Sequence, residues 1–199
     1  IAVFSTFGLG STSTRYMALC PTADYRAIEK IIRNSIAITL ITSSIMAILL
    51  FSFAGKITSE PHLVEILRYT ALIVIFNAIN TTQLGLLSGL KLFKAIARNN
   101  AISGIATFVF GVTFTYSFGL VGAVISLFAS TLLQCILNHY ALHHHLKKIK
   151  PSEIVDSENS EAVTLGSLFK FSLPIALQEC VYASASWLRV MMVTSLAGY

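Results

Sequence analysis

The stretch SIAITLITSSIMAILLFSFAG, Ser35 to Gly55, runs for 21 residues without a charged side chain and is bracketed by Arg33 and Lys56. A helix needs about 20 largely apolar residues to cross a hydrocarbon layer of roughly 30 Å, so this stretch fits one membrane crossing. Its Ile, Leu and Phe side chains favour insertion by roughly 3 to 6 kcal/mol in total, at about 0.3 to 0.6 kcal/mol each. Its Ser and Thr residues are tolerated, because a helical hydroxyl can bond back to the carbonyl one turn earlier.

Four more runs of this kind follow, Leu67 to Gly89, Ala101 to Ser117, Phe118 to Leu142 and Leu168 to Tyr199, and a shorter one, Ile1 to Gly10, opens the chain. With 55% hydrophobic and 12% charged residues, and a mean hydropathy of +0.74, the 199 residues carry too little polar surface to cover a water-soluble globule. The fold class expected is all-α, a polytopic transmembrane helical bundle.

The charges orient it. Of the fourteen Lys and Arg residues, Arg15, Arg26, Lys30, Arg33, Lys91, Lys94, Arg98, Lys147, Lys148 and Lys150 lie in the connectors Ser11–Asn34, Leu90–Asn100 and His143–Ser167, with Lys170 just beyond. The intervening connectors hold only Lys56 and Arg68. Under the positive-inside rule the three rich connectors are cytoplasmic and the poor ones face outward, and all segments then alternate without conflict. The net charge of +5 is thereby explained by topology, which points to anionic lipid head groups as partners and away from nucleic acid.

Glycines and a linker mark the organisation. Tyr116 to Gly119, with Gly122 after it, suits a tight outward turn between antiparallel helices. Ser59, Glu60 and Pro61 read as a helix start, and Pro174 as a kink or one opened backbone bond early in the last helix. Residues 146–166 carry Lys147, Lys148, Lys150 and Pro151 and then a polar, acidic tract, so they read as a cytoplasmic linker between residues 1–145 and residues 167–199. The chain begins at Ile1 and ends in an apolar run, which reads as an internal piece of something longer. Small residues recur at helical spacing in Gly8/Thr12, Gly85/Gly89, Ser103/Thr107/Gly111 and Gly122/Ser126/Ser130, where they let helices approach closely.

Polar groups inside the spans are few. Asn77, Asn80, Thr81, Thr82 and Gln83 form a band in the Leu67–Gly89 run, in which Asn77, Asn80 and Thr81 face roughly one way. The band either lines a cavity or makes hydrogen bonds between helices. Gln178, Glu179 and Arg189 lie in the last run, where an ionised group costs at least about 2.5 to 3.5 kcal/mol on insertion scales and should face protein or water. Ten residues separate Glu179 from Arg189, roughly 15 Å of helix rise, so the two cannot pair directly. Arg189 is either part of an anion-binding cavity or a structural, snorkelling arginine; Glu179 is either an ion-coupling site or a buried acid held neutral. Arg15 stands at the inner end of the first helix, where a guanidinium can hold a phosphate entering from the cytoplasm or anchor the helix to lipid.

Enzymatic and cofactor signals are lacking. Cys20, Cys135 and Cys180 are odd in number and form no C-x-x-C pair, and His139 and His143 share a metal-compatible spacing but have no acidic ligand near them. Neither a phosphate-cradling G-x-x-x-x-G-K-[ST] motif nor G-x-S-x-G or H-E-x-x-H is present. No cofactor and no catalytic residue are expected.

Three segments carry a family resemblance. Phe7-Gly-Leu-Gly-Ser-Thr-Ser-Thr-Arg15-Tyr-Met-Ala18 resembles the end of the second helix in bacterial polysaccharide transporters, the O-antigen flippase type of the multidrug/oligosaccharidyl-lipid/polysaccharide superfamily. Leu86-Leu-Ser-Gly-Leu-Lys-Leu-Phe-Lys-Ala with Ala97-Arg-Asn-Asn is similar to that family's inner connector between helices four and five. Leu168-Phe-Lys-Phe-Ser-Leu-Pro174, with Ser184 to Arg189 and Gly198-Tyr199, is similar to the opening of its seventh helix.

The resemblance spans the chain. It implies helices two to seven of about twelve, hence about half of a two-lobed flippase that works by alternating access around a cationic cavity. The implied cargo is an undecaprenyl-diphosphate-linked oligosaccharide moved from the cytoplasmic to the outer leaflet of the bacterial inner membrane, with a polysaccharide polymerase and export machinery as further partners. Arg15 matches the family's arginine after the glycine pair, and Arg189, Asn77, Asn80 and Gln83 are the remaining candidates for the cavity. Leu188 precedes Arg189 where many relatives have an acid, a departure that bears on ion coupling. Two alternatives compete: a multidrug cation antiporter of the same superfamily, which would favour acids in its cavity, and an integral membrane glycosyl- or acyl-transferase.

Overall fold

The computed structural model describes residues 8–19, 25–57, 61–148 and 165–196, and every regular element among them is helical. The helices are α1 (Leu9–Leu19), α2 (Tyr25–Ile57), α3 (Pro61–Gly89), α4 (Phe93–Lys148) and α5 (Leu165–Leu196). Residues 1–7, 20–24, 58–60, 149–164 and 197–199 lie outside this description, and with them Cys20, the Ser59–Glu60 helix start and most of the expected 146–166 linker.

The polarity of the bundle is inside out. Thr39 and Thr82 are 0% exposed, whereas Ile105 and Phe108 on α4 are 69% and 73% exposed. Ile41, Ile45 and Ile48 likewise present an exposed apolar stripe along α2 at helical spacing. A hydrocarbon solvent suits such an arrangement, since buried hydroxyls can bond within the protein while large apolar side chains lose nothing in lipid. Among the described residues three helical stretches are long and apolar enough to cross a membrane, Ala27–Lys56, Leu67–Gly89 and Phe93–Lys147.

The third stretch crosses twice. A straight helix of its 55 residues would be roughly 80 Å long, far beyond a hydrocarbon core of about 30 Å. The chain reverses at Gly119, whose φ of 59° and ψ of −136° are open only to glycine at little cost. A first arm (residues 93–118) and a second arm (residues 120–148) then lie antiparallel, as Asn99 bonding to Asn138 and Gln134 bonding to Asn100 record. Gly122 sits against the Phe114 carbonyl, so the hairpin closes without room for a side chain there. The turn expected from Tyr116 to Gly119 is thus present.

Contacts fix the direction of each remaining helix. Gly10 meets Thr81 and Gly85, while Gly89 meets Thr14 and Met17, so α1 and α3 are parallel. Phe76 packs edge-to-face on Phe128 at 5.4 Å, and Asn80 bonds to the Thr131 carbonyl, so the second arm of α4 is parallel to α3 as well. Ala47 and Leu50 cluster with Ala71 and Val74, and Thr39 bonds to Thr82, which makes α2 antiparallel to α3. Arg15, Lys30, Arg33, Lys91, Lys94, Arg98 and Lys147 consequently gather at one end of the bundle, and Lys56, Arg68 and the Gly119 turn at the other. This is the alternation that the charge pattern requires.

The helices outrun the apolar runs. Residues 25–34 and 93–100, expected as connectors, are helical, because Ile28 and Ile31 turn inward to join Met17, Leu86, Leu87, Ala141 and Leu142 in a core cluster beneath the basic side chains. Pro174 is accommodated inside a continuous α5. The connection from α3 to α4 is a tight helix cap in which the Leu92 amide donates to the Leu87 carbonyl and the Lys91 amide to the Ser88 carbonyl, each at 3.0 Å. Its left-handed position is filled by Lys91, at φ 58°, where glycine is usual. Lys91→Gly is therefore expected to stabilise the folded protein by about 0.5 to 1 kcal/mol, read as a higher midpoint of thermal unfolding in detergent; a lower midpoint would contradict it.

Candidate functional site

The tightest seam in the bundle joins α1 to α3. A Cβ added to Gly85 would fall on the Gly10 carbonyl oxygen, and one added to Gly89 would lie 2.6 Å from the Met17 Cβ and 2.7 Å from the Thr14 oxygen. Thr14 Oγ1 donates 2.9 Å to the Gly10 carbonyl and 3.0 Å to the Gly85 carbonyl, tying the two backbones together. Close approach of this kind replaces the hydrophobic drive that lipid removes, through dispersion contacts and short polar bonds. By contrast a Cβ at Gly104 or Gly111 would meet nothing within 4 Å, so the Ser103/Thr107/Gly111 stripe is not a helix seam along its length.

Next to the seam the interior is polar. Thr39 and Thr82 share a 2.7 Å hydrogen bond, and the Asn80 amide donates 2.9 Å to the Thr131 carbonyl. Gln83, buried beside Cys135, leaves its Oε1 unpartnered, as do Asn80 at Oδ1 and Ser13 and Ser35 at their hydroxyls. The polar band on α3 therefore divides. Asn80 and Gln83 face the second arm of α4, whereas Asn77 is exposed and shares a face only with Thr81, whose hydroxyl bonds to the Asn77 carbonyl. The expectation that Asn77 and Asn80 face one way is corrected accordingly: a three-residue step turns the second side chain far enough to meet Thr131 while the first stays outside.

The two arginines sit on different helices, Arg15 on α1 and Arg189 on α5. Arg15 is exposed near the level of Gly89, at the basic end. Gly8 abuts Ile175 of α5, which packs mainly against α1 and α2. Arg189 lies fourteen residues along α5 from that contact, roughly 21 Å of helix rise, and Arg15 seven residues along α1 from it, roughly 10 Å. Arg189 is exposed. The backbone of Glu179 belongs to α5, but its side chain lies outside the described residues.

Sequence reasoning passed over one buried pair. Asn99 and Asn138, 1% and 0% exposed, join the two arms of α4 near the basic end through a 3.1 Å bond donated by Asn99 Nδ2 to the side-chain Oδ1 of Asn138. Asn99 precedes the Ala101–Ser117 run and Asn138 lies inside the Phe118–Leu142 run, and an amide in an apolar run was the available signal. Asn99→Leu alone is expected to cost about 1 to 2 kcal/mol by leaving the Asn138 Oδ1 without its donor, and the double change Asn99→Leu/Asn138→Leu to recover most of it. Equal losses in the single and double variants, by thermal unfolding, would contradict this. The histidines make no comparable cluster: the His139 and His143 rings lie 6.4 Å apart between centroids and are tilted by 34°, both exposed, and no group of three metal-compatible side chains occurs among the described residues.

A sequence model of the family described as polysaccharide biosynthesis protein matches residues 1–199, the whole chain. No curated protein and no solved structure matches it.

Proposed function

The chain belongs to the polysaccharide biosynthesis protein family, and on that premise we propose that it is part of a flippase that moves undecaprenyl-diphosphate-linked oligosaccharide from the cytoplasmic to the outer leaflet of the bacterial inner membrane. Membership ties the chain to polysaccharide biosynthesis and transport; the cargo, the direction and the absence of catalysis are our reading.

One observation supports that reading above the rest. Arg15 is an exposed guanidinium at the basic end of α1, and α1 is clamped to α3 by the Gly10–Gly85 approach and the Thr14 bonds. A planar, permanently charged fork on a rigid helix at the cytoplasmic surface suits capture of a diphosphate, whose oxygens accept paired N–H bonds. Arg189 on α5 offers a second guanidinium for the diphosphate, and the unpartnered oxygens of Asn80 and Gln83 suit sugar hydroxyls if the bundle opens between α3 and α4. The polyprenyl tail can stay in lipid throughout. A cation antiporter would be better served by acids than by these arginines. Polymerase and export machinery are the partners this role implies.

The test is complementation. Full-length protein expressed in cells that lack their own flippase should restore surface polysaccharide, and no restoration with any lipid-linked glycan tried would remove the flippase reading.

A further inference from the structure

We propose that the outward half of α3 holds one anionic, two-chained phospholipid of the outer leaflet, with its phosphate on Arg68 and one chain in each of two grooves flanking the Tyr69–Leu72 ridge. One groove, of about 680 Å³, lies between α2 and α3, walled by Ala47, Ile48, Ala71 and Ile75 and closed at its outer end by Phe51 and Arg68. The other, of about 330 Å³, lies between α3 and the second arm of α4, lined by Val121, Val124, Ile125 and Phe128. Tyr69 and Leu72 line both, so they form the ridge between them. A lipid with two chains can straddle that ridge, whereas a single polyprenyl chain would fill one groove and leave the other open.

Charge and depth agree. The Arg68 guanidinium rests 5.0 Å from the centre of the Phe51 ring, a cation–π contact that holds the cation at the mouth of the groove and leaves its exposed side chain open to a phosphate. Arg68 stands twenty-one residues before Gly89, roughly 31 Å along α3, which matches the hydrocarbon thickness of about 30 Å. With Gly89 at the cytoplasmic boundary, Arg68 reaches the outer head groups, Tyr69 sits where interfacial tyrosines collect, and both grooves lie at chain depth. The inference rests on the orientation with the basic end inward and is independent of the cargo.

Native mass spectrometry of the delipidated full-length protein tests it, with phosphatidylglycerol, phosphatidylcholine of the same chains, and a polyprenyl phosphate as separate probes. Phosphatidylglycerol should be preferred, and its binding should weaken roughly tenfold in Arg68→Gln, which removes one paired charge-assisted contact. Leu72→Trp, which fills both grooves from the ridge, should weaken it as well, and Lys56→Gln, outside the grooves, should not. Arg68 is exposed, so its variant keeps the test open should the Trp variant fail to fold. Unchanged binding in Arg68→Gln, equal loss in Lys56→Gln, or displacement of the phospholipid by polyprenyl phosphate would each overturn the proposal.

Discussion

Gly85→Leu is expected to yield no folded protein, and Gly85→Ala to lose about 3 kcal/mol of stability, the upper end of what overpacking costs. The reason is the identity of the atom in the way. A new Cβ at Gly85 meets the Gly10 backbone carbonyl, which belongs to a helix and cannot swing aside as a side-chain end would. Relief would require α1 to back away from α3, breaking the Thr14 bond to the Gly85 carbonyl and opening the contact of Gly89 with Met17. Gly104→Ala and Gly111→Ala are the matched controls, since a Cβ at either meets nothing, and each should be neutral or stabilising by up to about 1 kcal/mol through helix propensity. Thermal unfolding of the purified variants in detergent checks this. Similar midpoints for Gly85→Ala and Gly104→Ala would mean that the α1–α3 seam is not as described.

Arg15→Ala is expected to abolish surface polysaccharide in the complementation assay while leaving expression and membrane insertion normal. Arg15 is exposed, so its loss leaves no cavity, and folding is checked by the thermal midpoint of the purified variant. Arg15→Lys keeps the charge but not the planar fork and should retain partial function, because an ammonium holds a phosphate as a point charge and not bidentately. Full activity in Arg15→Ala would show that Arg15 anchors the helix to lipid and does not engage cargo.

Much of the fold is legible in the sequence because lipid imposes simple rules. Length and apolarity located the spans from Ser35 to Leu142, and the placement of Arg33, Lys91, Lys94, Arg98 and Lys147 predicted the alternating directions that the Gly10–Gly85, Thr39–Thr82 and Asn80–Thr131 contacts report. Gly119 and Gly122 announced the hairpin, since only glycine adopts the observed turn cheaply and only a hydrogen fits against the Phe114 carbonyl. Helix ends were less legible. Ile28 and Ile31 alternate with charged neighbours and look like a connector until the core cluster they complete is seen.

The site was harder to read for a different reason. Which side chain a polar residue meets depends on the rotation of its helix, and a band such as Asn77 to Gln83 contains residues for more than one face. Periodicity could not decide that Asn80 would find Thr131 while Asn77 stayed outside, nor that Gly85 would meet Gly10 while Gly111 met nothing. Arg15 and Arg189 were recognisable as unusual charges, but that α5 meets α1 at Gly8 and Ile175 emerged only from the structure.

The central claim, that this chain is part of a protein carrying a diphosphate-linked glycan across the bilayer, is tested most directly by reconstitution. The full-length protein is placed in vesicles containing undecaprenyl-diphosphate-linked oligosaccharide, and the fraction of glycan accessible to an external lectin is followed with time. Accessibility should rise beyond the half initially exposed with wild type and stay flat with Arg15→Ala. A flat trace with wild type, across the lipid-linked glycans of the host, would contradict the account.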